Sequence, residues 1–208
     1  MSLKFVLLFF ACIQPALAEN PIHWSFDQTD GDPSPATATT APLVALRQAS
    51  PITGIQGQAV SLSRLDALSC DTCSDMIGDG VFAVSFWLKV EWASRRHGHG
   101  DVLNFITADP EHPASWRIGF PTTWAQVMPA SPWPLALHIG EFSTAELPID
   151  IQPLRWTHVG FVGDGEKVGV YRNGGLIGYV DYPRDGLPAA SQIGGTLQIN
   201  GSHNFALE

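Results

Sequence analysis

The sequence has few charged residues, and most of those it has are acidic. Of its 208 residues, 11 are Lys or Arg and 20 are Asp or Glu, which gives a formal net charge of -9. The charged share of 15% is well below the roughly 25% of an ordinary soluble domain. Binding to nucleic acid or to anionic lipid requires clustered Lys and Arg, so the composition argues against both partners. The hydrophobic share of 45% argues against a disordered chain.

The sequence also lacks an apolar run long enough to span a bilayer, which requires about 20 residues. Its longest apolar stretch runs from Phe5 to Ile13, after Lys4. Ala16-Leu17-Ala18 then supplies the small residues of a signal-peptidase site. We therefore predict that residues 1–18 are a signal peptide and that no membrane span remains. The mature chain, residues 19–208, is expected to be secreted, or to lie in a periplasm or on a cell surface.

Cysteine is scarce, with three in the chain. Cys12 lies in the predicted signal peptide, so Cys70 and Cys73 remain. In an oxidising compartment this pair is expected to form a small-loop disulfide bond. A redox-active pair would open a helix after a strand, and a zinc site would require two further ligands at matching spacing. The sequence favours the local disulfide, which closes so short a loop that it adds little stability.

No window of a dozen residues shows a helical stripe of apolar positions, whereas alternation with a period of two is common. The alternation is longest in residues 81–92, where one face carries Phe82, Val84, Phe86, Leu88, Val90 and Trp92. Asn173-Gly174 separates two further runs and favours a hairpin, because both residues tolerate positive φ. Together with the many turn residues (20 Gly and 16 Pro), these features predict an all-β sandwich or barrel.

Strands are expected where the alternation is clear, and loops where Gly, Pro, Asp and Ser cluster. The predicted strands lie near residues 22–27, 43–48, 58–63, 81–92, 101–107, 115–121, 134–142, 156–163, 167–172, 176–182 and 195–200. The segment 121–134 contains four Pro and two Trp, and we predict an ordered excursion there rather than a strand. No fixed-period repeat and no linker divides the chain, so a single domain is expected.

Short motifs along the mature chain follow the order of a known family. They are Trp24-Ser-Phe-Asp27, Gly57-Gln-Ala-Val-Ser-Leu62, Phe82-Ala-Val-Ser-Phe-Trp-Leu88, Trp156-Thr-His-Val159, Val168-Gly-Val-Tyr-Arg-Asn-Gly174 and Leu197-Gln-Ile-Asn-Gly201. In this order they resemble the concanavalin A-like, laminin G-like domains of exported proteins, over nearly all of residues 19–208. The resemblance implies a two-sheet antiparallel jelly-roll sandwich. It also implies a role in binding glycans or protein ligands, often beside a calcium ion.

The resemblance is incomplete at the C-terminal end. Domains of this family usually close with a strand of the form Phe-x-Gly-x-Ile-Asp-Glu-Val, whereas this sequence ends with Asn204-Phe-Ala-Leu-Glu208. The closing strand would neighbour the first strand, so its absence would leave an unpaired edge beside residues 22–27. The expectation is a domain that lacks this strand, either because the sequence is a fragment or because another segment covers the edge.

A glycoside hydrolase on the same fold would require two carboxylates that flank the scissile bond. Acidic pairs two residues apart occur at Asp30 and Asp32 and at Asp164 and Glu166, and both pairs lie in predicted turns. A lyase would require a positioned base, and no Gly-x-Ser-x-Gly nucleophile motif is present. The sequence therefore favours a non-catalytic protein, with a glycoside hydrolase or polysaccharide lyase as the alternative.

Asp27, Asp30 and Asp32 place three carboxylates within six residues, directly after a predicted strand. Calcium prefers oxygen-rich loops that contain glycine, and the family resemblance implies that the Asp after Trp-x-Phe is a ligand. We therefore treat these three residues as a candidate calcium site. The alternative is a solvated Asp/Gly turn, and the acidic ligand that the family supplies from its closing strand is absent here.

Exposed aromatic rings are suited to sugars, because they combine an apolar plane with a polar rim. Trp124 and Trp133 lie in the Pro-rich excursion, and Trp87 lies on the strand face opposite the apolar stripe. These three are the candidate ligand-binding residues. The alternative for Trp124 and Trp133 is that they cap the open end of the sandwich.

Three functions remain open from the sequence. The first is an exported binding module for carbohydrate or glycoprotein, assisted by calcium. The second is a hydrolase or lyase on the same fold. The third is a structural or adhesive domain of a larger surface protein.

Overall fold

The computed structural model describes residues 5–8, 44–45, 50–55, 57–62, 68–70, 81–90, 100–107, 115–120, 133–182 and 195–199. All regular structure in these ranges is β-strand, and no helix in them is long and apolar enough to cross a membrane. The strands are β1 (Phe5–Leu8), β2 (Val44–Ala45), β3 (Ser50–Thr53), β4 (Gln58–Leu62), β5 (Leu68–Cys70), β6 (Val81–Val90), β7 (Gly100–Thr107), β8 (Trp116–Phe120), β9 (Trp133–Ile139), β10 (Phe142–Ser143), β11 (Ile149–Ile151), β12 (Thr157–Asp164), β13 (Lys167–Arg172), β14 (Gly175–Asp181) and β15 (Gly195–Ile199).

These strands form two antiparallel sheets. The seven-stranded sheet has the order β14-β13-β12-β6-β1-β4-β3. The eight-stranded sheet has the order β10-β9-β8-β7-β15-β5-β2, and β11 also pairs with β9. Strands distant in sequence, such as β6 and β12 or β7 and β15, are neighbours, so the chain passes repeatedly from one sheet to the other. The result is the two-sheet antiparallel jelly-roll sandwich that the sequence predicts.

The core lies between the sheets and is built from alternate residues of the long strands. The alternation predicted for β6 is confirmed, since its buried residues are Phe82, Val84, Phe86, Leu88 and Val90. The neighbouring strand β12 continues this apolar face, with Val159 opposite Phe86 and Phe161 opposite Val84. Burial of such side chains is the main favourable term in folding, at roughly 1.5–3 kcal/mol for each.

β1 lies in the middle of the seven-stranded sheet, between β4 and β6. Phe5 is paired with Leu62 of β4 on one side and with Val90 of β6 on the other. This strand belongs to the segment that the sequence predicts to be a signal peptide, and the removal of residues 1–18 stays a prediction. Because β1 is paired on both sides, its removal would leave β4 and β6 without the neighbour that they share in the full chain.

Asn173-Gly174 forms the predicted hairpin between β13 and β14, with φ values of 51° and 79°. Asn173 also ties the hairpin to β12. Its N–H donates to the carbonyl of His158 at 2.9 Å, and its Oδ1 accepts from the N–H of His158 at 2.9 Å. Three strands of the seven-stranded sheet are therefore joined at this turn.

Some features differ from the sequence-based expectation. The strands β3, β5, β10 and β11 are not predicted, because two to four residues are too few to show an alternation. The excursion predicted for residues 121–134 is wrong at its end, since Trp133 and Pro134 begin β9. The predicted first strand, residues 22–27, and residues 204–208, where the sequence is expected to lack the closing strand, lie outside the described residues.

Leu154, in the loop before β12, has a positive φ of 63°. Its side chain is 65% exposed, so this left-handed residue buries little apolar surface. Its N–H donates to the carbonyl of Val90 at 2.8 Å, which fixes the loop against the end of β6. The left-handed conformation costs a non-glycine residue roughly 1–2 kcal/mol, so the loop is strained at this position.

We expect Leu154→Gly to raise the free energy of unfolding by up to about 1 kcal/mol, because glycine adopts positive φ freely and offsets only part of this gain through its unfolded-state entropy. Urea denaturation measures the difference. Leu154→Ala retains the Cβ atom and its strain, and is the matched control. A glycine variant no more stable than the alanine variant would contradict the assignment of strain.

Candidate functional site

A row of polar side chains crosses the eight-stranded sheet on the face that points away from the core. Those that come from the longer strands each lie between two buried apolar residues of the same strand, as Asn104 does between Leu103 and Phe105. The antiparallel register places the members opposite one another from strand to strand. With strands about 4.8 Å apart, the row extends roughly 24 Å. In spatial order, this polar row consists of Ser69, Gln198, Asn104, Arg117, His138 and Ser143.

Asn104 lies at the centre of the polar row and has an unusual environment. Its side chain is 1% exposed, yet neither its amide nitrogen nor its amide oxygen has a hydrogen-bond partner in the described structure. A buried polar group without a partner costs about 1–3 kcal/mol. Such groups are rare in folded proteins, and each requires an explanation. A ligand that gains access to the amide and supplies the missing donor and acceptor is one.

Arg117 and His138 lie opposite each other on β8 and β9, beside Asn104. Burial, together with the nearby charge of Arg117, lowers the pKa of His138 from 6.5 to about 4. The imidazole is therefore neutral at physiological pH, with one ring nitrogen that donates a hydrogen bond and one that accepts. The polar row thus combines neutral donors and acceptors with one permanent positive charge.

The lowered pKa of His138 predicts a defined dependence of stability on pH. As the pH falls from about 6.5 to about 4, the unfolded chain takes up a proton at this side chain while the folded protein does not, so the free energy of unfolding decreases. We expect His138→Gln to make this decrease shallower. Burial lowers the pKa of His158 as well, so part of the decrease remains in the variant. Urea midpoints measured for both proteins between about pH 7 and pH 5 test this, and parallel curves would refute it.

Two acidic residues, Asp101 and Asp150, occupy strand positions far apart in this sheet. The register places Asp101 opposite Gly119 and Asp150 opposite Pro134, with three strand intervals between the two acids. At about 4.8 Å per interval, the two positions are roughly 14 Å apart. Hydrolysis by two carboxylates requires a separation of about 5–9.5 Å. The strand positions of these two acids therefore do not match that separation.

Asp164 is the last residue of β12, and Glu166 lies in the turn between β12 and β13. Asp164 Oδ1 accepts the N–H groups of Glu166 at 2.9 Å and Lys167 at 2.8 Å. These two hydrogen bonds hold the pKa of the Asp164 carboxyl below its ordinary value. The carboxylate therefore stabilises the turn, which accounts for its position without a role in catalysis.

The structure places two of the three candidate tryptophans in different parts of the molecule. Trp87 is half-buried on the outer face of the seven-stranded sheet, and its ring centre is 5.1 Å from that of His158. Trp133 begins β9 and packs edge-on against Phe120 at 5.8 Å, beside the main core. Trp124 lies outside the described residues. The structure does not bring Trp87 and Trp133 together, and the ligand-binding role of all three stays a prediction.

The candidate calcium ligands Asp27, Asp30 and Asp32 lie outside the described residues, so the calcium site stays a prediction. Elsewhere, the described ranges contain no group of three His, Cys, Asp or Glu side chains that could hold a metal ion. Cys70 is buried and disulfide-bonded. Its partner lies outside the described residues, so the pairing with Cys73 is also still a prediction.

No protein-family model and no curated protein sequence matches the chain. Similar solved structures include domain 4 of AbnA, a GH43 extracellular arabinanase from Geobacillus stearothermophilus, in complex with arabinotriose. It has a TM-score of 0.59 and 18% identity, over 86% of this chain and 81% of that chain. A native glycosidic hydrolase aligns with a TM-score of 0.40 and 9% identity, over 98% of this chain and 86% of that chain. The first likeness supports the jelly-roll fold, and the second is too loose to carry an argument.

Proposed function

We propose that this protein is an exported, non-catalytic carbohydrate-binding domain whose ligand lies along the polar row. The observation that carries the proposal is the buried amide of Asn104, which has an unused donor and an unused acceptor in the described structure. A sugar hydroxyl both donates and accepts hydrogen bonds. Two adjacent hydroxyl groups on one sugar would satisfy both atoms of this amide at once. The side chain is 1% exposed in the free protein, so binding requires this part of the face to open first.

The neighbours of Asn104 have the same chemistry. His138 is neutral, and Gln198 carries a second amide on the adjacent strand. Arg117 supplies a planar group with several donors. A row of roughly 24 Å is long enough for an oligosaccharide rather than a single sugar. The similar fold of AbnA domain 4, solved in complex with arabinotriose, is consistent with a sugar ligand.

Export and calcium belong to the proposal but rest on the sequence. Residues 1–18 have the pattern of a signal peptide. Asp27, Asp30 and Asp32 are the residues that would hold a calcium ion, which would supply a positive centre for hydroxyl oxygens. The laminin G-like resemblance of the motifs supports both points.

A glycan array that includes arabinose oligosaccharides tests the proposal, with and without a chelator. We expect at least one oligosaccharide to bind without release of new reducing ends. Arg117→Gln is expected to weaken that binding roughly 10–100-fold, because a hydrogen bond to a charged group contributes about 1.5–3 kcal/mol. Arg155→Gln, in the exposed loop before β12, is the matched control and should have no effect.

Each alternative function predicts a different outcome. Binding of no glycan by the folded protein would contradict a carbohydrate-binding role and favour a structural or adhesive domain. Hydrolysis or elimination of a polysaccharide would show an enzyme. Equal affinities for Arg117→Gln and Arg155→Gln would place the ligand elsewhere than the polar row. Loss of binding in the chelator and recovery in calcium would support the calcium site.

A further inference from the structure

The outer face of the seven-stranded sheet lies on the opposite side of the sandwich from the polar row and carries an exposed aromatic patch. The strands β6, β12, β13 and β14 contribute to it in adjacent register positions. We call this patch the tyrosine face, and its residues are Ala83, Val162, Lys167, Tyr171, Leu176 and Tyr179.

Both tyrosine rings lie against the backbone of Gly169. A Cβ atom at this position would be 2.9 Å from Cε2 of Tyr171 and 3.2 Å from Cε1 of Tyr179, so a larger residue would displace the rings. A side-chain hydrogen bond also joins Tyr171 to Tyr179. Because Gly169 has no side chain, the rings rest on the sheet and are held in place rather than moving independently.

The tyrosine face is exposed and nearly neutral. Tyr179 is 55% exposed and Leu176 is 46% exposed, so two large side chains of one face are open to solvent together. The ammonium group of Lys167 lies 5.6 Å from the ring centre of Tyr179, and its strand position is opposite Asp181. Asp164 also interacts with this charge. Lys167 thus has acidic residues on both sides, and in a chain of net charge -9 this low local charge favours a neutral partner over a strongly charged one.

The shape of the region argues against pairing of the sheet edge with a second copy of the chain. β14 is the last strand in the described order, and the pairing of β13 with β14 is interrupted by a bulge at Ile177. Bulges in edge strands disrupt the regular row of backbone groups that a further strand would require. The exposed rings themselves, rather than the strand edge, are the accessible feature.

We propose that the tyrosine face is a second binding surface, which adsorbs a neutral, insoluble polysaccharide by stacking against its sugar rings. Two tyrosine side chains held against a glycine backbone offer apolar ring surface and hydroxyl groups, which suit the flat faces of pyranose rings. Ala83 and Val162, which lie in the same register row as Tyr179, are small or aliphatic and do not rise between that ring and an extended flat surface. This surface is independent of the polar row, and the domain would then hold a single chain on one side and a polysaccharide particle on the other.

Sedimentation of the full chain with microcrystalline cellulose, chitin, curdlan and insoluble mannan tests the proposal. We expect depletion of the protein from solution by at least one of these solids. Tyr179→Ala is expected to weaken that adsorption about tenfold or more, and Tyr179→Phe, which keeps the ring, should largely retain it. Leu154→Ala removes an equally exposed apolar side chain from a distant loop and is the matched control. Thermal denaturation confirms that each variant is folded.

Any of the following outcomes would overturn the proposal. One is that none of the solids retains the protein. Another is that Tyr179→Ala adsorbs as strongly as the unchanged chain. Leu154→Ala would lose adsorption equally, which would show a non-specific hydrophobic effect. A further one is that analytical ultracentrifugation shows a dimer that Tyr179→Ala abolishes, while adsorption stays unchanged; the tyrosine face would then be a dimer interface. Asn104→Leu separates this proposal from the polar row, since it should leave adsorption unchanged; a loss there would assign adsorption to the polar row instead.

Discussion

Asn104→Leu is expected to abolish oligosaccharide binding while it raises the stability of the fold. Leucine has nearly the shape of asparagine but no polar atoms, so it removes the two buried amide atoms that lack partners. Relief of one such unpaired group is expected to add about 1–2 kcal/mol to the free energy of unfolding. The same change removes a donor and an acceptor from the ligand, so affinity should fall by about 100-fold or more. Urea denaturation and calorimetric titration measure the two effects.

Thr144→Val is the matched control, because Thr144 is also buried and polar but has a partner. Its Oγ1 accepts a hydrogen bond from the N–H of Leu137 at 3.0 Å. Valine at this position leaves that N–H without its acceptor, so we expect a loss of about 1–2 kcal/mol and unchanged sugar binding. An increase in the free energy of unfolding for Asn104→Leu, with a decrease for Thr144→Val, would support a role of Asn104 in ligand binding rather than in stability. A destabilised Asn104→Leu variant that still binds sugar would contradict this role.

The strands were predictable from the sequence wherever they are long enough to show their periodicity. In β6, five apolar residues alternate with smaller or polar ones, and each apolar residue is buried. Trp133 shows where this signal fails. It lies between Pro132 and Pro134, which argue against a strand interior, yet it begins β9. Pairing with Ile151 of β11 outweighs the local preference at this position.

The sequence predicts that the residues of the polar row face outward, but it does not predict that they lie side by side. Four triplets carry a polar residue between two large apolar ones, and they are Leu103-Asn-Phe105, Trp116-Arg-Ile118, Leu137-His-Ile139 and Leu197-Gln-Ile199. Each triplet predicts a polar side chain on the outer face of its strand. That the four side chains meet depends on the register between strands far apart in sequence. A shift of one residue would turn a polar member towards the core, so only the pairing identifies the site.

The polar row and the tyrosine face share one physical requirement, which is a rigid core between the sheets. The outer residues of β12, β13 and β14 keep their positions because the inner residues of the same strands are fixed. Asn104 is likewise held by Leu103 and Phe105, which are fully buried. Loss of packing in the core should therefore affect both faces.

Phe86→Ala should have the largest effect of any single change on stability. The side chain is fully buried at the centre of β6, and its backbone pairs with Val159 of β12. Truncation of a buried phenylalanine typically costs 3–5 kcal/mol, because the apolar contacts are lost and the surrounding side chains fill the cavity only in part. Because a whole domain is stable by about 5–15 kcal/mol, the variant should lie near the limit of folding. Urea or thermal denaturation measures the loss.

Ser85→Ala is the control for Phe86→Ala, since Ser85 is the preceding residue of β6 and faces outward. A half-buried hydroxyl contributes about 1 kcal/mol or less, so this variant should remain close to the unchanged chain. The contrast between adjacent residues tests the alternation itself, because the two side chains differ in the sheet face they occupy. Similar losses for both variants, or a loss below about 1 kcal/mol for Phe86→Ala, would contradict the placement of the core between the two sheets.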